Sequence, residues 1–106
     1  MSNPQPLLGV EVVDDSLVLT GELDAHTAAL LAQHLATAGA LPRLELDLAG
    51  VTFMDSTGLR HVLGEHQARE RDGRRLVIRR PSAPVIRLIE LTGLGPHLHV
   101  DLPLEG

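Results

Sequence analysis

The stretch Leu44-Glu45-Leu46-Asp47-Leu48-Ala49-Gly50-Val51-Thr52-Phe53-Met54-Asp55-Ser56-Thr57-Gly58-Leu59 decides the reading of this chain. Leu44 to Leu48 alternates apolar and acidic residues, the period-two pattern of a strand with one apolar face. Leu59, Val62 and Leu63 then recur at helical spacing. Ser56 therefore falls on a strand-to-helix turn, flanked by Asp55, Thr57 and Gly58. Backbone N–H groups at a helix start have no helical partners, so a group placed there meets donors. Three roles are open for Ser56: nucleophile, cap or switch.

Upstream, Leu8 to Val13 and Ser16 to Thr20 read as two strands joined by a tight turn at Asp14-Asp15, a hairpin. Gly21-Glu22-Leu23-Asp24 breaks the second strand. Asp24 suits an N-cap, and Ala28, Leu31, Leu35 and Ala38 mark a helix over about 25–38 that Gly39 closes. Downstream of the serine turn, the second helix ends near Asp72-Gly73, and Leu76-Val77-Ile78 is a short buried strand. Ser82 caps a third helix with Pro84 in its first turn and Val85, Leu88 and Ile89 inward. Gly93 ends that helix, and His97-Leu98-His99-Val100 is a last strand.

The order β-β-α-β-α-β-α-β predicts one α/β domain of α+β character. Its sheet is mixed, with four to five strands, an N-terminal hairpin and parallel neighbours across the helical crossovers. The acids of the central strand keep one face wet, so the helices are expected mainly on the other. The domain is expected over 8–102, with tails at 1–7 and 103–106.

Composition narrows the function. A chain of 106 residues fits one domain with a core of its own. Without cysteine it has no disulfide, thiolate metal site or thiol nucleophile. A net charge of −5 and a single aromatic, Phe53, argue against direct nucleic-acid binding and base stacking. No run is long and apolar enough to span a membrane, and the N-terminus lacks a signal-peptide pattern, so a cytoplasmic protein is expected.

Other constellations read plainly. His61 and His66 flank Glu65, but a five-residue step turns the side chain by roughly 140° on a helix, so the rings point apart and read as surface groups. His97 and His99 share a strand face but lack a third ligand, a weak zinc case. Six of the nine arginines lie between Arg69 and Arg80. They read as a solvated helix end, with Glu65 and Arg69 an i,i+4 pair and an acidic partner the alternative. Ser56 lacks the glycine two residues earlier that a nucleophile elbow needs, since Met54 stands there, and neither His26 nor His61 is placed as its base. No phosphate-cradling glycine loop occurs. Neither catalysis nor a cofactor is expected. Asp55 and Ser56 both suit a cap, which explains one polar residue but not Asp-Ser-Thr-Gly in a row. Gly58 in a first turn lets another surface approach the backbone, which reads as a contact site.

These residues resemble a known family, the STAS-domain anti-sigma factor antagonists of bacteria, also called anti-anti-sigma factors. The resemblance runs through Leu19-Thr20-Gly21-Glu22-Leu23-Asp24, Leu46-Asp47-Leu48, Phe53-Met54-Asp55-Ser56-Thr57-Gly58-Leu59 and Leu91-Thr92-Gly93-Leu94. It implies a protein that binds an anti-sigma factor, itself a serine kinase, and so frees a sigma factor. It implies phosphorylation of Ser56 by that kinase, loss of binding, and restoration by a serine phosphatase. It places Asp24, Asp55, Ser56, Thr57, Gly58 and Arg60 at the partner surface, with Asp24 near Ser56. The oligomeric state is left open between monomer and weak dimer. The alternative is a STAS subunit of another assembly, a lipid transporter or stress-signalling complex, that does not depend on serine phosphate. A serine hydrolase is the remaining reading.

Overall fold

The computed structural model describes residues 8–101; the tails expected at 1–7 and 103–106, with residue 102, lie outside the described residues. Five strands form one sheet in the order β1-β2-β3-β4-β5. They are β1 (Leu8–Val13), β2 (Ser16–Leu23), β3 (Arg43–Met54), β4 (Arg75–Arg79) and β5 (His99–Asp101). Three helices, α1 (Ala28–Thr37), α2 (Ser56–Arg71) and α3 (Ala83–Thr92), connect the parallel strands. β1 and β2 are antiparallel, and every later neighbour is parallel. The mixed sheet, hairpin and helix count agree with the expected fold.

The hairpin turns at Asp14, which takes a left-handed φ of 52°. Aspartate tolerates that conformation because its short side chain bonds locally. The core is aliphatic. Leu17, Leu19 and Leu23 of β2 meet Leu44, Leu46, Leu48, Val51 and Met54 of β3 and Leu76 and Ile78 of β4. Leu31 and Leu35, Leu59 and Val62, and Val85 and Ile89 close over them from the three helices.

Three expectations are corrected. First, β2 does not break at Gly21 but continues to Leu23, in register with β3 to Met54. Gly21 takes a φ of 95° between two register shifts, a backbone open to glycine, and the ladder resumes beyond it. Second, α1 begins at Ala28 rather than near residue 25. Residues 24–27 form a turn in which Asp24 Oδ1 accepts from Thr27 N at 3.1 Å and Thr27 Oγ1 accepts from Asp24 N at 3.0 Å. This is the reciprocal geometry of a capping box, so Asp24 does cap, one turn earlier than the helix.

Third, Arg69 is not solvated: it is 0% exposed. Its Nε donates to Glu65 Oε2, and its two terminal nitrogens donate to the Leu41 and Ala38 carbonyls, each at 2.8 Å. The guanidinium fork thus ties α2 to the chain that leaves α1. Arg79 and Arg80 also turn to acids, on the polar face of the sheet. Arg79 bonds Glu45 at 2.9 Å, Arg43 pairs with the same carboxylate at 3.2 Å, and Arg80 bonds Asp47. The Arg79 hydrogen bond holds the Glu45 carboxyl below its ordinary range against the opposing effect of burial. Burial would raise Asp47, but bonds from Arg80 and the Ala49 N–H outweigh it and leave that carboxyl lowered too.

Candidate functional site

β2 and β3 end side by side, with Leu23 opposite Met54, and the chain leaves the sheet at Asp24 and Asp55. The Asp55 N–H donates to the Leu23 carbonyl at 3.2 Å. The two acids expected to flank the serine are therefore held together by the last rung of the ladder. Asp55 is the N-cap of α2, extended in backbone, and its Oδ1 accepts from Gly58 N at 2.9 Å. Ser56 is the first helical residue and is exposed; Thr57 is half-buried. Arg60, one turn on, is exposed at the groove between α1 and α2 that Ala32, Leu35, Ala36, His61 and Gly64 also line.

Gly58 corrects an expectation. The surface that approaches its backbone belongs to this chain: a Cβ at Gly58 would stand 2.4 Å from the Leu23 carbonyl oxygen and 2.9 Å from Leu23 Cγ. Gly58 is buried, and it seats the first turn of α2 against the end of β2. Asp24, Asp55, Ser56, Thr57 and Arg60 are gathered at one end of the sheet, and Gly58 is the reason the turn sits there.

Sequence reading missed an apolar groove that begins beside this turn. Phe53 and Met54 of β3 and Ala83, Pro84, Leu88 and Leu91 of α3 line about 400 Å³, with Arg87 at its edge. Phe53 is 47% exposed and Leu91 78% exposed, unusual for large apolar side chains. Period-two alternation could not have found it: Thr52 and Phe53 are exposed in succession between buried Val51 and Met54, so the alternation is interrupted where the aromatic emerges.

The histidines also depart from expectation. His66 is buried, not a surface residue. His97 lies in a 3-10 turn over Gly95–His97, so it does not share a strand face with His99. The partner that His99 lacked is supplied by α2, where Glu70 Oε2 lies 3.2 Å from His99 Nε2. Among the described residues no helix is long and apolar enough to cross a membrane.

A family model described as "Mlab, STAS domain" matches residues 9–101. The chain belongs to the STAS-domain anti-sigma factor antagonists, the anti-anti-sigma factor family. It is 32% identical over 96 residues to the anti-sigma-B factor antagonist of Bacillus subtilis (strain 168), covering 88% of this chain and 86% of that protein. The anti-sigma factor antagonist SpoIIAA in its unphosphorylated form superposes with a TM-score of 0.71 at 28% identity, over 92% of this chain and 89% of that one. The Bacillus cell fate determinant SpoIIAA in its phosphorylated form superposes with a TM-score of 0.66, also at 28% identity, over 92% of each chain. In this STAS domain the strand-to-helix turn and the apolar groove therefore sit on a scaffold shared with relatives solved with and without phosphate.

Proposed function

We propose that this chain is an anti-sigma factor antagonist that binds an anti-sigma serine kinase, frees a sigma factor, and is switched off by phosphorylation of Ser56. The observation that carries the reading is the placement of Ser56. It is exposed at the first position of α2, on a turn held by the Asp55 cap and by the seat of Gly58 on Leu23. Such a serine is offered to another protein's active site with little reorganisation of its own backbone. Family membership supplies the partner class, and the phosphorylated relative supports the modification.

The chemistry of the switch follows from charge. A phosphate adds about −1.5 to −2 charge and three acceptor oxygens. Free N–H groups at the start of α2 can hold it without unfolding the helix. Its cost falls on the interface, where Asp24 and Asp55 already bring negative charge. A loss of about 3 to 4 kcal/mol weakens binding several-hundred-fold. A partner phosphatase would remove the group and restore binding. The apolar groove around Phe53 and Leu91 extends the same surface and gives the partner something to bury.

The test is binding to the cognate kinase. Ser56→Asp should weaken binding more than about a hundredfold, while Ser56→Ala should bind like wild type and resist inactivation by kinase and ATP. Mass spectrometry should place the phosphate on Ser56 rather than Thr57. Wild-type affinity in Ser56→Asp would sink the switch. Recovery of a transporter ATPase or permease in place of a kinase would favour the other STAS assembly, and ester turnover abolished by Ser56→Ala would revive a hydrolase.

A further inference from the structure

We infer that His66, Glu70 and His99 form a binding site for one divalent transition-metal ion of the Zn²⁺ class, joining α2 to the edge strand β5. His66 and Glu70 lie four residues apart on one face of α2, and His99 begins β5. One candidate ligand atom from each of the three lies within 4.8 Å of the other two. His66 Nε2 stands 3.5 Å from one Glu70 carboxylate oxygen, and His99 Nε2 stands 3.2 Å from the other. A tetrahedral ion with bonds of ~2.0–2.1 Å holds its ligand atoms ~3.3 Å apart. Each imidazole nitrogen lies at about that spacing from a different Glu70 oxygen. Closing the site needs donor atoms that lie within 4.8 Å of one another to draw in around one ion.

The donor set fits the ion. Two imidazoles and one carboxylate, with a fourth position left to water, suit zinc and its neighbours rather than magnesium or calcium. The fourth position has room: the three residues line a polar groove of about 260 Å³ with Gln67 and His97, so a further imidazole is at hand.

His66 is preorganised by burial. Its side chain is 5% exposed, so the ring is held with Nε2 toward Glu70. Its Nδ1 has no hydrogen-bond partner among the described residues, and an ion at Nε2 would place the ring proton there. A 3.5 Å contact to a carboxylate that is itself 52% exposed is a weak one; a metal bond at Nε2 is not. The site lies ten residues along α2 from Ser56, roughly 15 Å at the helical rise. It is thus separate from the serine turn, and the inference does not rest on the proposed switch.

The experiment uses the full, tag-free chain stripped of metal by a chelator. Calorimetric titration with Zn²⁺ should give one saturable equivalent, and Co²⁺ should give the ligand-field absorption of a protein-bound ion. Glu70→Gln and His99→Ala alter partly exposed side chains and should fold; each should weaken Zn²⁺ binding at least tenfold and abolish the rise in melting temperature that the ion gives wild type. His61→Ala, outside the cluster, should bind as wild type does. Absence of a saturable equivalent overturns the site, as does wild-type affinity in Glu70→Gln or His99→Ala. Loss of binding in His61→Ala would place the ion elsewhere and overturn it equally.

Discussion

At Gly58 one added carbon would press on the carbonyl oxygen of Leu23, a backbone atom that cannot swing away. Gly58→Ala should therefore destabilise the domain by about 1–3 kcal/mol, measured by urea unfolding, although alanine is the better helix former. Stability equal to or above wild type would show that the seat is not tight. Arg69 makes the opposite point, that a charge can be wholly internal. Arg69→Met leaves the Ala38 and Leu41 carbonyls without their donors and should cost about 3 kcal/mol in the same assay. The Asp55 cap was legible in the sequence because capping is local: acceptor and donor lie three residues apart. Gly58 was misread because no local rule says which surface will meet a missing Cβ. Arg69 was misread because its carbonyl partners are 28 and 31 residues away.

Among the elements, β3 explains both what alternation can reveal and where it stops. Leu44 to Leu48 announced a strand, yet β3 runs on to Met54 and draws β2 with it to Leu23. The extension is paid for by pairing between strands, which a single-strand pattern does not contain. The polar face of this sheet predicts a pH dependence. Glu45 and Asp47 both have their carboxyls lowered in the folded protein. A lowered folded value means that the unfolded chain takes up protons first as pH falls. Their stabilisation is full above the ordinary carboxylate range and is lost as pH drops through the folded values. Unfolding free energy followed downward from pH ~5 should fall less steeply in Glu45→Gln/Asp47→Asn than in wild type. Identical slopes would mean that these arginine-paired carboxylates do not contribute to acid sensitivity. The contribution is modest in any case, because Arg79 and Arg80 remain substantially exposed and solvent screens the pairs.

For the whole molecule, the proposed switch acts at a surface and leaves the fold alone. Ser56 is exposed, and the contacts that position its turn run between Asp55, Gly58 and Leu23 rather than through its hydroxyl. Ser56→Asp should thus melt within about 4 °C of wild type, by calorimetry, while its kinase binding collapses. A large fall in melting temperature would instead make the effect one of unfolding. Sequence by itself determined the order of elements, the hairpin, the capped serine turn and the family, because periodicity, turn chemistry and short motifs are written in neighbouring residues. Tertiary structure alone decided that Asp24 and Asp55 leave the sheet together and that Gly58 faces inward. It also decided that Phe53 opens a groove toward α3, that Arg69 is buried, and that His66 and Glu70 meet His99. Each of those facts depends on which distant segments the sheet brings into register, and the free energy that selects the register belongs to the assembled core rather than to any one stretch of chain.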